Sequence, residues 1–123
     1  MKLKYMPLLL LISTTVFAAD ITDSDKPIMV TKNNIVTLRI ESNPTTGYSW
    51  YLKTYDPTLI KPMSENYQAP KKLIPGRGGV DVWKFRLLPN AMNVPHIMEV
   101  TLEYRRPWEM DSGLTRTFQI VTR

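Results

Sequence analysis

The sequence predicts an all-β fold, an immunoglobulin-like antiparallel β-sandwich of about seven strands. Two observations predict it. Short segments rich in β-branched and aromatic residues recur along the chain, separated by Pro, Gly, Asn and Asp, and several of them alternate apolar with polar positions. No segment shows the apolar period of an amphipathic helix of useful length.

The first residues of the chain have the composition of a secretory signal peptide. Lys2 and Lys4 form a short basic region, which is followed by an almost wholly apolar segment and then by small residues up to Ala18. The apolar segment is short for a membrane span. We therefore expect residues 1–18 to be a cleaved signal peptide. Residues 19–123 would be a single exported domain, which is not membrane-bound after cleavage and reaches a periplasm, a vesicular compartment or the extracellular medium.

The composition excludes several kinds of site. The chain has no cysteine, which excludes disulfides, a cysteine nucleophile and thiolate metal sites. The net charge of +5 falls to +3 without Lys2 and Lys4, and the basic residues are scattered except for two adjacent pairs, so nucleic-acid binding is not indicated. The single histidine, His96, cannot form a metal cluster alone, and no nucleophile or carboxylate is marked out to accompany it. We expect no cofactor, no metal and no enzymatic activity.

The first half of the predicted domain contains three strands. Residues 28–30 form a short first strand. Residues 36–41 form the second strand, in which apolar and polar side chains alternate, so that Val36, Leu38 and Ile40 share one face. Residues 48–55, rich in aromatic side chains, form the third strand. The segment 56–60 resembles a capped single helical turn that ends before Pro62.

The second half of the domain contains the remaining strands. Residues 64–69 form a weak strand and residues 80–88 a strong one, and residues 89–95 are predicted to be a turn region. Alternation then predicts a long strand over residues 96–105 and a last strand over residues 115–122. The side chains expected on the inward faces of the last three strands are Trp83, Phe85 and Leu87, then His96, Met98, Val100, Leu102 and Tyr104, and finally Phe118 and Ile120. Trp50 and Trp83 lie within predicted strands and are expected in the core.

The connection between the second and third strands has the chemistry of a stiff tip. Pro44 fixes its own φ and favours an extended Asn43, whereas Gly47 can adopt positive φ in a tight reversal. Thr45 and Thr46 have few side-chain rotamers and carry hydroxyls that can donate and accept hydrogen bonds. Such a tip loses little entropy on docking, although the same residues also suit an ordinary turn.

Two further loops contain residues typical of binding surfaces. The Gly-Arg-Gly-Gly segment at residues 76–79 precedes a strand, so it does not fit a phosphate-binding loop, and its glycines favour either close approach to a partner or a flexible connection. The loop that begins at Arg106 continues with Pro107 and Trp108, and Arg and Trp are enriched at binding hot spots. Alternatively, Trp108 folds back onto the sandwich as a lid.

The strand order of the predicted fold brings these loops together. In an immunoglobulin-like sandwich, the loops after the second, fourth and sixth strands lie at the same end. That end would contain residues 43–47, 70–79 and 106–113. We therefore expect one binding edge that acts by obstructing a partner.

The three motifs, in this order on a cysteine-free chain, resemble the chagasin family of cysteine-protease inhibitors, and the resemblance extends from Lys26 to the C-terminus. It implies an immunoglobulin-like sandwich that inhibits papain-like (cathepsin-type) proteases reversibly and without a covalent bond. By this resemblance, the loop 43–48 enters the catalytic cleft of the protease. Residues 77–79 lie along the non-primed side of that cleft, and residues 106–108 lie along its primed side. The implied protease-binding residues are Asn43, Pro44, Thr45, Thr46, Gly47, Tyr48, Arg77, Gly78, Gly79, Arg106, Pro107 and Trp108.

Two other interpretations remain open from the sequence. An exported immunoglobulin-like adhesion or assembly module would bind a non-protease protein or a glycan, and would leave papain unaffected. A small hydrolase would depend on His96. In every case we expect a monomer, because the sequence does not suggest a second large apolar face.

Overall fold

The computed structural model describes residues 21–30, 33–72, 77–110 and 113–123. In this part of the chain seven strands form two sheets packed face to face, one ordered β1-β7-β6-β3 and the other β2-β5-β4. The strands are β1 (Ile28–Val30), β2 (Ile35–Ser42), β3 (Ser49–Thr54), β4 (Ile60–Gln68), β5 (Gly79–Leu87), β6 (His96–Arg105) and β7 (Leu114–Thr122). The β1–β7 pair is parallel, and the others are antiparallel. The predicted immunoglobulin-like sandwich is confirmed.

The core lies between the two sheets and follows the alternation of the strands. Successive side chains of a strand point to opposite faces, so an apolar residue at every second position gives one buried face. The buried apolar side chains are Val30, Val36, Leu38, Ile40, Trp50, Ile60, Val82, Phe85, Leu87, Ala91, Met98, Val100, Leu102, Phe118 and Ile120. The inward faces predicted for β2, β5, β6 and β7 are therefore confirmed.

Both tryptophans predicted to be in the core contribute to it. Trp50 on β3 is buried and donates its Nε1–H to the Glu41 carbonyl of β2, over 2.9 Å, which joins the two sheets. Trp83 on β5 is half-buried and stacks on Phe85, with ring centroids 6.3 Å apart. The Trp50 bond lies close to the end of the sandwich where β2 finishes, and it fixes the relation of the sheets there.

The structure differs from the prediction in two segments. The predicted turn at residues 56–60 is closed by hydrogen bonds to Asp56, but β4 begins directly at Ile60 and includes Pro62. Proline is accepted there because β4 is an edge strand and its register shifts just after Pro62. The segment predicted as a turn region contains a short helix, α1 (Pro89–Asn93), which has proline in its first turn and buries Ala91.

The strand register brings the three loops to one end of the sandwich. Ser42, the last residue of β2, pairs with Gly79, the first residue of β5. In the other sheet, Ser49 at the start of β3 pairs with Arg105 at the end of β6. The connections β2–β3, β4–β5 and β6–β7 therefore leave the same end, and we call them the first, second and third loops.

Candidate functional site

The first loop is a hydrogen-bonded turn. Pro44–Thr46 forms one turn of 3₁₀ helix, and Gly47 follows with a φ of +85°, as predicted for the reversal. The hydroxyl of Thr45 donates to Asn43 Oδ1 over 2.6 Å, and that of Thr46 donates to the Asn43 carbonyl over 2.8 Å. Both threonine protons are therefore used inside the loop, and the hydroxyl lone pairs remain as acceptors toward a partner.

Tyr104, at the end of β6, holds the base of the first loop. Its hydroxyl accepts the Asn43 N–H at 2.9 Å and donates to the Asn43 carbonyl at 3.3 Å. The ring lies between Tyr48 and Trp50, with centroid distances of 5.3 and 4.8 Å. The sequence placed Tyr104 on an inward face but gave it no role at the site. Such a role could have been inferred only from the pairing of Tyr104 with Trp50 across β3 and β6, which the sequence does not show directly.

Arg106 connects the third loop to the first. Its Nε donates to the Thr46 carbonyl over 3.3 Å, and its guanidinium carbon lies 4.6 Å from the centroid of the Tyr48 ring. Its Nη1 also forms an ion pair of 3.2 Å with Glu109. Through its contacts with the Thr46 carbonyl and the Tyr48 ring, Arg106 positions the neighbouring loop.

Arg105 supports the third loop from the other face of β6. Its Nη1 donates to the carbonyls of Arg106 and Pro107, over 3.1 and 3.0 Å, and its Nε is paired with Glu103 at 3.2 Å. The guanidinium also lies over the Tyr51 ring. Arginine serves well here, because its donors form a rigid fork.

The outer part of the third loop is open to solvent. Trp108 is 71% exposed, so the interpretation of this residue as a lid on the core was wrong. Pro107 is also exposed, and the loop turns through a bond from the Glu109 N–H to the Arg106 carbonyl. Residues 111–112 of the predicted loop lie outside the described residues. The structure thus holds a large apolar ring outward on a braced backbone.

The second loop rests against the base of the first. A Cβ added at Gly78 would lie 2.4 Å from the Ser42 carbonyl oxygen and 3.0 Å from Asn43 Cβ, so only glycine allows this approach. A cleft of about 440 Å³ lies between the two loops and is lined by Glu41, Ser42, Asn43, Arg77, Gly78 and Gly79. Gly76 and the preceding residues 73–75 lie outside the described part of the chain.

The twelve predicted residues thus lie at one end of the sandwich, but they differ in what they touch. Asn43 and Arg106 are held by contacts within the protein, whereas Thr45, Arg77 and Trp108 are exposed. His96 lies at the far end of β6, with its Nδ1 2.8 Å from the Val94 carbonyl. Among the described residues there is no group of acidic or histidine side chains able to hold a metal ion, and no helix of a length and apolarity suited to crossing a membrane.

The sequence of the domain matches a known protein family. Residues 29–121 match the family model described as "Chagasin family peptidase inhibitor I42". The chain belongs to the chagasin family. The match includes all three loops, and the family consists of peptidase inhibitors rather than enzymes, so the hydrolase interpretation is excluded.

Solved structures show the same fold as this chagasin-family chain. The crystal structure of the cysteine protease inhibitor EhICP2 from Entamoeba histolytica has a TM-score of 0.60 at 20% identity, covering 79% of this chain and 85% of that one. The solution structure of amebosin has a TM-score of 0.59 at 24% identity, covering 81% and 90%. A sequence comparison with curated proteins gave no match.

Proposed function

We propose that this chagasin-family inhibitor blocks papain-like cysteine proteases by inserting the first loop into the active-site cleft, with the second and third loops on its flanks. The observation that carries the proposal is the braced first loop, an exposed Thr45–Thr46 tip held by Tyr104 on one side and Arg106 on the other. A tip that is already fixed loses little conformational entropy when it binds.

The same bracing should protect the loop from cleavage. A protease acts on an extended backbone that brings a carbonyl to its nucleophile at near-attack distance. The backbone over Pro44–Thr46 is instead coiled into a 3₁₀ turn, and the Asn43 carbonyl accepts bonds from the hydroxyls of Tyr104 and Thr46. The loop can therefore fill a cleft without presenting a peptide bond in line, and inhibition is reversible and non-covalent.

The flanking loops have different parts in this proposal. Gly78 and Gly79 bring bare backbone close to the partner, and Arg77 is exposed beside them. Trp108, with Pro107 beside it, supplies the largest apolar contact on the other flank. Arg106 acts by holding the first and third loops in register.

A titration tests the proposal directly. The mature protein is titrated against papain and against cathepsin L, each with its catalytic cysteine free or alkylated by a small group. We expect tight inhibition that is reversed on dilution, and retained binding to the alkylated enzymes. Loss of all affinity on alkylation would overturn the non-covalent insertion, and absence of inhibition for every papain-like enzyme would favour the adhesion or assembly module.

Trp108→Ala tests the third loop. We expect inhibition to weaken by about 1–3 kcal/mol, or roughly 5- to 150-fold. Ile97→Ala is a matched control, because Ile97 is 70% exposed and lies at the opposite end of the sandwich. Equal inhibition by the two variants would contradict the assignment of Trp108, and urea denaturation of both checks that each is folded.

We also propose that residues 1–18 direct export and are removed, and that the inhibitor acts as a monomer. The basic and apolar composition of that segment supports the first statement. Mass spectrometry of the secreted protein should give an N-terminus at Ala19, and light scattering at working concentration should give the mass of one chain. An intact N-terminus or a dimer mass would contradict these statements.

A further inference from the structure

The charges around the loop end are unevenly distributed. Lys71, Lys72 and Arg77 of the second loop are exposed, and within the described residues none has an ion-pair or hydrogen-bond partner. Lys71 lies three residues beyond the end of β4, and Arg77 two before the start of β5. All three are therefore near the loop end.

The third loop has a different surface. Its two cations are neutralised internally, Arg105 by Glu103 and Arg106 by Glu109, each at 3.2 Å. Its most exposed side chains among the described residues are apolar, with Trp108 and Met110 at 71% and 69% exposure. In the described part of the loop end, one flank of the site is thus mainly apolar, and the other is cationic.

The acidic side chains near the second loop do not cancel its charge. Glu41 lines the cleft together with Arg77 and is exposed, so it offsets one of the three cations. Among the described residues of the second loop and of the cleft lining, three cations thus accompany one carboxylate, an excess of two positive charges. Exposed charges interact over about 8 Å at physiological ionic strength. This excess would therefore attract the acidic groups of a partner docked on the loop end, but not those of a partner docked elsewhere.

We infer that Lys71, Lys72 and Arg77 form an electrostatic specificity element, which favours cysteine proteases bearing carboxylates on the flank of the cleft that faces these cations. The inference rests on the proposed function and adds to it a property of the target. Complementary charge mainly raises the association rate and discriminates between partners, whereas the apolar flank mainly slows dissociation. Proteases with a basic flank at that position would be inhibited more slowly.

The test compares two variants of the inhibitor, one without the three cations of the second loop and one without three cations of the same sheet that lie away from the loop end. The first variant is Lys71→Gln/Lys72→Gln/Arg77→Gln. Its matched control, Lys61→Gln/Lys84→Gln/Arg86→Gln, loses the same charge from exposed positions of the same sheet. Lys84 lies five residues along β5 from Gly79, or about 17 Å at the rise of a β-strand, which is about twice the screening length at physiological ionic strength.

The measurement is the association rate constant with cathepsin L and with papain, by stopped-flow loss of activity at low and at physiological salt. With an enzyme whose flank is acidic, we expect the loop variant to associate about 10-fold more slowly at low salt and to lose most of the salt dependence. The dissociation rate should change little. At physiological salt the control should remain within about two-fold of the unmodified protein, because its charges are screened there, and at low salt its rate should fall less than that of the loop variant, because its charges lie farther from the loop end.

The target provides the second half of the test. Changing the facing carboxylates of the protease to amides should lower the association rate of the unmodified inhibitor and leave that of the loop variant unchanged.

If the unmodified protein inhibits normally but the loop variant has the same association rate and salt dependence, the inference is overturned while the proposed function stands. Loss of binding to anionic phospholipid vesicles, with unchanged inhibition kinetics, would also overturn it and assign the charges to a lipid surface. Failure of the unmodified protein to inhibit any papain-like enzyme would instead remove the proposed function.

Discussion

Asp81 on β5 should make the stability of the protein depend on pH. The residue is 3% exposed, and its Oδ2 accepts the Trp83 Nε1–H over 3.0 Å. Its Oδ1 has no hydrogen-bond partner among the described residues. Burial, together with the neighbouring Glu65 carboxyl, raises the pKa of Asp81 from 3.8 to about 7. The folded protein therefore favours the protonated carboxyl.

The sign and size of the effect follow from that difference in pKa. In the unfolded chain Asp81 loses its proton near pH 4, whereas in the folded protein it keeps the proton up to about pH 7. Between these values the folded state binds more protons, so the free energy of unfolding falls as pH rises, by up to about 1.4 kcal/mol per pH unit. Below pH 4 and above pH 7 this contribution is constant, being fully present at the acidic end and lost at the alkaline end.

The substitution Asp81→Asn tests this account. Asparagine has nearly the same shape, cannot ionise, and can still accept the Trp83 N–H through its carbonyl oxygen. We expect urea denaturation between pH 4.5 and 7.5 to show a falling free energy of unfolding for the unmodified protein and a flatter curve for the variant. Near neutral pH the variant should be the more stable protein.

A second carboxylate provides the control for this experiment. Glu99→Gln makes the same chemical change at an exposed position on β6, in the other sheet, and its denaturation curve should follow that of the unmodified protein. Equal pH slopes for Asp81→Asn and the unmodified protein would show that the buried carboxyl is not the source of the dependence. The reasoning from burial would then be wrong.

Three substitutions in the loop supports should lower stability, measured by urea denaturation. Gly47→Ala places a Cβ at a φ of +85°, at a cost of about 1–2 kcal/mol. Gly78→Ala would clash with the Ser42 carbonyl at 2.4 Å, which should cost about 1–3 kcal/mol and also weaken inhibition by displacing the second loop. Tyr104→Phe removes the hydroxyl that holds both backbone groups of Asn43, again about 1–3 kcal/mol. An unchanged unfolding free energy for any of the three would contradict the support assigned to that residue.

The strands were predictable because their signal is local. Alternation within a single strand decides which face is buried, and the inward faces of β2, β6 and β7 were identified from it. The start of β4 was not predictable in the same way. Pro62 disfavours a central strand, and only the topology of the sheet, which the local sequence does not contain, makes β4 an edge. The helix Pro89–Asn93 is too short for its period to be recognised.

The site was predictable in its position but not in its internal contacts. The shared end of the three loops followed once an immunoglobulin-like strand order was assumed, because loops after alternate strands of this sandwich leave the same side. The sequence could not distinguish an exposed Trp108 from a buried one, since either conformation suits a loop. Nor could it assign Arg106 to the Thr46 carbonyl, a contact that spans 60 residues of chain.

The contacts of three consecutive residues explain how an exposed loop can be rigid without being buried. Tyr104, Arg105 and Arg106 end β6 and begin the third loop, and their side chains alternate in direction as strand geometry requires. Tyr104 and Arg106 hold the first loop, at Asn43 and at Thr46, while Arg105 holds the carbonyls of the third. The shape of both loops is therefore set from one strand end, by side chains that lie behind the exposed tip. A substitution at Trp108, which makes none of these contacts, should then change the exposed surface while the geometry of the site is kept.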